Sequence, residues 1–133
     1  MQELKLRIDT TTANAVRELL KSEAESRIYL FLLRKHGAKS DDIIRGTKLH
    51  PSTVRELLSK MFSQHLIYRK KLKTDRIGKN PYLYHAAPPR LLLRRYIEEI
   101  EQKLNKIANL DATEKTSNSR YVHITFHEEG ENV

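Results

Sequence analysis

Apolar residues return along this chain at helical spacing three times, alternate through a hairpin, and return to helical spacing once more. Leu4, Leu6 and Ile8 alternate with Lys5 and Arg7, a period of two that predicts a short strand. Asp9 and the threonines after it supply caps for a helix carrying Val16, Leu19 and Leu20. Ser22-Glu23-Ala24-Glu25 matches a capping box, with Ser22 as the cap and Glu25 reaching back. The helix that follows puts Ile28, Phe31, Leu32 and Lys35 on one side, and Tyr29, Leu30 and Leu33 widen its apolar surface. It is expected to be the best-buried helix and to end at His36-Gly37, with Gly37 after the last turn and His36 suited to the negative helix end.

Ser40 is then placed to cap a short helix opening Asp41-Asp42-Ile43-Ile44, and Gly46 stands where that helix is expected to stop and the backbone to turn. Pro51 fits the first turn of the next helix, whose Val54, Leu57, Leu58 and Met61 form one apolar stripe. Opposite the stripe lie Ser52, Glu56, Ser59 and Ser63, flanked by Thr53, Arg55 and Lys60. This is a small, polar, partly cationic face of the kind that enters a DNA major groove. Residues 66–73 read as a strand, 74–80 as a turn and 81–86 as a return strand. Three helices followed by such a hairpin predict a mainly α fold with a β-hairpin wing (α+β), a winged helix–turn–helix over residues 1–88.

Pro88-Pro89 starts a helix from Arg90 to Leu110, roughly 32 Å long if fully helical. Leu93, Ile97, Ile100, Leu104 and Ile107 are spaced 4, 3, 4, 3, the alternation of a coiled-coil seam. Residues 89–110 are therefore expected to pair two copies into a homodimer. Beyond them, 111–133 reads as a polar tail. Within it 120–126 alternates as a further short strand that needs a partner, for which the N-terminal strand of the same or the opposite subunit is suited.

Charge sharpens this picture. The 133 residues carry a formal +8, with 25 cations and 17 acids. Ten of the cations lie between Ile43 and Asn80: Arg45, Lys48, Arg55, Lys60, Arg69, Lys70, Lys71, Lys73, Arg76 and Lys79. Only Glu56 and Asp75 oppose them, so this segment alone carries the whole excess. Concentration of charge in one segment is the footprint of a polyanion partner. The candidate DNA-reading residues are Ser52, Thr53, Arg55, Glu56, Ser59 and Lys60 on the helix. Lys48, Arg69, Lys70, Lys71, Lys73, Arg76 and Lys79 are assigned to phosphates from the wing and its flank.

Other chemistry is not apparent. There are no cysteines, which excludes disulfides and thiolate metal sites. His123 and His127 stand four apart on a segment read as a strand, where that spacing spans about 13 Å, so no metal site is expected. Paired carboxylates, a Gly-rich phosphate loop and a nucleophile–base set are lacking, so neither an enzyme nor a cofactor is expected. With no membrane-spanning run and no signal peptide at Met1-Gln2-Glu3-Leu4-Lys5, the expected location is the cytoplasm.

Several stretches also resemble a known family. Residues 28–33 (Ile-Tyr-Leu-Phe-Leu-Leu) look like the helix preceding the helix–turn–helix of archaeal TrmB-type regulators. Residues 49–54 (Leu-His-Pro-Ser-Thr-Val) are similar to the start of their recognition helix. Gly78-Lys79-Asn80-Pro81-Tyr82-Leu83-Tyr84-His85-Ala86-Ala87-Pro88-Pro89 resembles their wing and its proline-led exit. The likeness covers about Ser22 to Leu110 and is partly shared by MarR and ArsR types. It implies a dimeric regulator that binds double-stranded DNA and acts on the transcription machinery by occupying a promoter. Two departures stand out: only 23 residues follow Leu110, where larger TrmB-type proteins carry a sugar-binding domain, and the metal-sensing thiolates of ArsR types have no counterpart. The rival readings are a winged-helix protein-interaction adaptor and a non-specific DNA- or RNA-binding architectural protein.

Overall fold

A computed structural model describes residues 7–73, 81–113 and 119–127. The expected strand at Leu4–Ile8 lies mostly outside these residues, and Arg7–Asp9 are irregular. The chain divides into two compact units, residues 1–87 and 88–133.

The first unit begins with α1 (Thr10–Leu20), capped by Asp9, whose Oδ1 accepts from the Thr12 N–H at 2.7 Å. That backbone donor holds the Asp9 carboxyl below the usual carboxylate range. α1 packs on α2 (Glu23–Lys35) through half-buried Ala13, Val16, Leu19 and Leu20. As the pattern predicts, α2 is the central helix, burying Ile28, Tyr29, Leu30 and Leu32. Around it stand α3 (Ser40–Thr47) and α4 (Pro51–Ser63), which contribute Ile43, Val54, Leu58 and Met61. Each of these side chains stabilises the fold by about 1.5–3 kcal/mol relative to exposure. The hairpin β1 (Ile67–Lys71) and β2 (Tyr82–Ala86) is antiparallel, with Ile67 opposite Ala86 and Lys71 opposite Tyr82. It is anchored at its base by buried Leu66, Ile67 and Ala87, and an isolated bridge joins Ala38 to Tyr84. The strands proper are shorter than the sequence suggests, although beyond Lys71 the Leu72 N–H still donates to the Pro81 carbonyl at 2.8 Å.

Four local expectations are corrected. The capping box is only half formed: Ser22 Oγ accepts from the Glu25 N–H at 3.2 Å, but Glu25 does not reach back. Its carboxylate is buried and lies 2.8 Å from the Lys60 ammonium on α4, off the direction of a good hydrogen bond. After α2 the left-handed residue is His36 (φ 55°), followed by Gly37 at φ 119°. Lys39, not Ser40, is the residue before α3, and it contributes no side-chain cap. Gly46 does not end α3. The helix runs on to Thr47, and Lys48 takes the left-handed turn conformation at φ 59°. Gly46 is small for a packing reason instead, since a Cβ there would run into the ring of Phe31. Buried Thr47 then closes the turn, its hydroxyl donating to the Ile43 carbonyl at 2.6 Å.

The second unit contains α5 (Pro89–Ala108) and a terminal arm, residues 119–127. Among the described residues the arm joins no sheet, and 120–126 is not a strand there. It runs antiparallel along α5 and is held by three polar side chains one helical turn apart. Asn105 accepts from the Val122 N–H at 2.8 Å and donates to the Val122 carbonyl at 3.0 Å. Glu101 accepts from the Ile124 N–H at 3.1 Å, and Asn109 donates to the Ser119 carbonyl at 2.7 Å. Arg120 also pairs with Glu101. The Ile124 N–H first, and Arg120 second, hold the Glu101 carboxyl below the usual carboxylate range.

Candidate nucleic-acid interface

The start of α4 is fixed by a histidine cap and a proline. His50 precedes it, and Pro51 occupies the first turn, where a missing N–H costs nothing. His50 Nδ1 lies 3.2 Å from the Ser52 N–H and 2.7 Å from the Ser52 hydroxyl. The backbone N–H can only donate, so Nδ1 is the unprotonated ring nitrogen in this cap. A histidine cap was not legible in the sequence, where Ser, Thr, Asp or Asn is the usual signal.

On the outer face Ser52, Arg55, Glu56, Ser59 and Lys60 are exposed, and Thr53 is half-buried. Two of these are engaged within the fold. The Ser52 hydroxyl is tied to His50, and Lys60 faces Glu25, whose side chain is 5% exposed against 57% for Lys60. Arg55, Glu56 and Ser59 are the exposed side chains of this face with no such engagement among the described residues. Lys48 is exposed in the turn ahead of the helix.

The wing brings a second set of cations to the end of α4. Arg69, Lys70 and Lys71 on β1, and Lys73 just beyond it, are all exposed, while Arg76 and Lys79 lie outside the described residues. Beyond Ile67 both faces of β1 are open to solvent, which leaves its cations unburied. Tyr68 stacks on His85 directly across the hairpin, ring centroids 4.9 Å apart. Arg69 contacts the rings of Phe62 on α4 and Tyr82 on β2. Across the segment from Lys48 to Lys73 seven cations face one acid, Glu56. Among the described residues no group of three or more His, Cys, Asp or Glu could hold a metal ion, and no helix is long and apolar enough to cross a membrane.

In the second unit the five seam positions of α5 differ in exposure. Leu93, Leu104 and Ile107 are exposed, Ile107 at 63%, whereas Ile97 and Ile100 are half-buried. The arm is held from Glu101, Asn105 and Asn109, which lie about 120° round the helix from the seam, and its Ile124 and Phe126 share a cavity with Ile97 at the seam's edge.

Residues 22–90 match the profile of the family described as "Sugar-specific transcriptional regulator TrmB". No protein of curated function matches the chain in sequence. Among solved structures, a possible transcriptional regulator from Methanosarcina mazei Go1 is similar with a TM-score of 0.62 at 16% identity, over 83% of this chain and 100% of that one. NadR in complex with 4-hydroxyphenylacetate aligns at 13% identity over 87% of this chain and 90% of that one, with a TM-score of 0.48. A mutant of MepR from a multidrug-resistant S. aureus clinical isolate aligns at 16% identity over 82% and 88%, with a TM-score of 0.33. The Methanosarcina structure carries the likeness of fold. The profile spans the central helix, the helix–turn–helix, the wing and the start of α5, more than half of the chain, and on that match the chain belongs to the TrmB family of transcriptional regulators.

Proposed function

We propose that this regulator binds double-stranded DNA as a homodimer, reading bases from α4 and gripping phosphates from the wing. The observation that carries the reading is the junction of two surfaces in one unit. A helix face of small and polar side chains ends beside a ribbon bearing exposed Arg69, Lys70, Lys71 and Lys73. Arg55 is placed to read a base edge, with Glu56 and Ser59 beside it. Ser52 and Lys60, engaged within the fold, and half-buried Thr53 serve the helix's position on the duplex. Lys48 and the wing cations, with Arg76 and Lys79 between the two strands in sequence, supply sequence-independent attraction. Pairing of two chains is assigned to the seam of α5, Leu93, Ile97, Ile100, Leu104 and Ile107, as a two-stranded coiled coil, Leu93, Leu104 and Ile107 being exposed. A two-fold pair presents two identical α4 helices, so its preferred site is an inverted repeat, and occupancy of that site at a promoter is the regulatory act.

Duplex binding measured at several salt concentrations tests this. Neutralising Lys70, Lys71 and Lys73 together should weaken binding to all duplexes alike and reduce the salt slope by about 0.9 for each phosphate that is no longer neutralised. Arg55→Ala should cost roughly 1–3 kcal/mol on the preferred site and relax specificity at one position. Unchanged affinity and slope in the triple variant would remove the wing from the interface. Failure of the wild-type protein to bind any duplex would favour a protein-interaction role for the same surface.

A further inference from the structure

Three elements of the first unit converge on one guanidinium. Arg69 on β1 has its Cζ 4.2 Å from the centroid of the Phe62 ring and 4.2 Å from that of the Tyr82 ring. Phe62 is in the last turn of α4, and Tyr82 opens β2. The hairpin register puts Arg69 opposite Tyr84, so Tyr82 is its diagonal neighbour, one strand repeat away and within reach of a long side chain. A guanidinium is planar, with five N–H donors round its rim, so contact with the rings leaves donors on its edge. Arg69 is exposed, and among the described residues no carboxylate pairs with it. An arginine fixed by apolar contacts and short of acceptors suits an anion that arrives from outside.

We infer that Phe62 and Tyr82 are positioning residues, which hold the Arg69 guanidinium as a preformed phosphate contact where the reading helix meets the wing. The inference rests on the DNA-binding reading above and deepens it. Neither ring needs to touch DNA. Each removes freedom that a mobile arginine would lose on binding, so the benefit falls equally on every duplex sequence.

The test uses the full chain and one duplex series from 50 to 200 mM salt. Arg69→Gln should lower affinity and reduce the salt slope by about 0.9, so that the fourfold rise in salt weakens it about 3.5-fold less than wild type. Phe62→Leu, Tyr82→Leu and Arg69→Lys all keep the charge. Each should weaken binding between about two- and tenfold on every sequence, the range set by the freedom of one unfixed side chain, with the slope retained. In the Arg69→Gln background the two ring variants should have no further effect on affinity. Amide spectra of β1 and β2 check that the wing is intact in each variant. An unchanged slope in Arg69→Gln, or ring effects that simply add to it, would overturn the inference while leaving duplex binding in place. Absence of duplex binding by the wild type would overturn the DNA reading itself and this inference with it.

Discussion

Tyr29 joins the central helix to the last residue of the first unit, and replacing it with phenylalanine isolates one hydrogen bond. Its ring is 1% exposed, and its hydroxyl donates to the Ala87 carbonyl at 2.6 Å. Tyr29→Phe leaves almost no cavity, so the loss is that of the bond plus the cost of a buried carbonyl left without this donor, about 1–3 kcal/mol. Burial pushes the Tyr29 hydroxyl up to about 12, against about 10 for an exposed tyrosine. The unfolded chain therefore gives up this proton at lower pH than the native protein does. The stability that Tyr29 contributes is fully present below pH 10 and drains away as pH rises from about 10 through about 12, by about 2–3 kcal/mol in all. The phenylalanine variant has no such proton. Urea unfolding of both proteins should give a wild-type advantage of about 1–3 kcal/mol at pH 7 that narrows above pH 10 and can reverse near pH 12. Other tyrosines and lysines titrate in both proteins and cancel in the difference. Equal stability at pH 7, or an advantage that stays constant to about pH 11.5, would refute the argument.

The remaining expectations concern single contacts. Lys60→Ala strips the partner from the buried Glu25 carboxylate; because Lys60 is half-exposed and water screens the pair, the cost in urea unfolding should be about 1–2 kcal/mol, below that of a fully buried pair. Glu25→Gln in the Lys60→Ala background should recover part of that loss, and no recovery would mean that the charge is not its source. Asn105→Leu removes both bonds to Val122 and should make opening of the arm easier by about 1–3 kcal/mol, read as faster amide exchange at Val122 and Ile124 with α5 unaffected. The Glu101 carboxyl titrates below the usual range only while the arm is docked, so docking should be complete above that range and weaken as pH falls through the lowered value; exchange at Ile124 that does not respond to acid would contradict this. For the proposed dimer, Ile97→Asp with Ile100→Asp should give a monomer in sedimentation whose winged-helix unit still unfolds cooperatively, and a variant that stays dimeric would move the interface off this seam.

Much of the fold was legible because local rules sufficed. The stripe of Val54, Leu58 and Met61 is a helix face at its own spacing, and the alternation through Tyr82 and Tyr84 is a strand at its own. What escaped are contacts between residues far apart in sequence. Gly46 is written with the same letter whether it turns the chain or makes room for a ring, and the ring, Phe31, belongs to another helix. Glu25 has the correct spacing for a capping box, yet its carboxylate is drawn 35 residues away to Lys60. Arg69 read as one cation in a run, although Phe62 and Tyr82 distinguish it from Lys70 and Lys71. Glu101, Asn105 and Asn109 fell on the polar side of α5, where polar residues ordinarily face water. The spacing of the seam is readable, but what covers a seam is not a property of one chain's sequence.

The polar grip of α5 on the arm sets two rulers with different graduations side by side. Four residues of helix advance about 6.0 Å, whereas two residues of strand advance about 6.6–6.8 Å. From Glu101 to Asn105 the arm moves from Ile124 to Val122, two residues, and the small excess is within the play of a side chain. A second step at that rate would put an ideal strand roughly 1 Å or more ahead of the helix, close to half the length of a hydrogen bond. The chain instead meets Asn109 through Ser119, three residues on and of the opposite parity, so it has left the extended path by then. A helix can therefore clasp a strand this way for only a turn or two before the graduations part. Further asparagines placed along α5 would not lengthen the clasp, because the limit lies in the two periods rather than in the supply of amides.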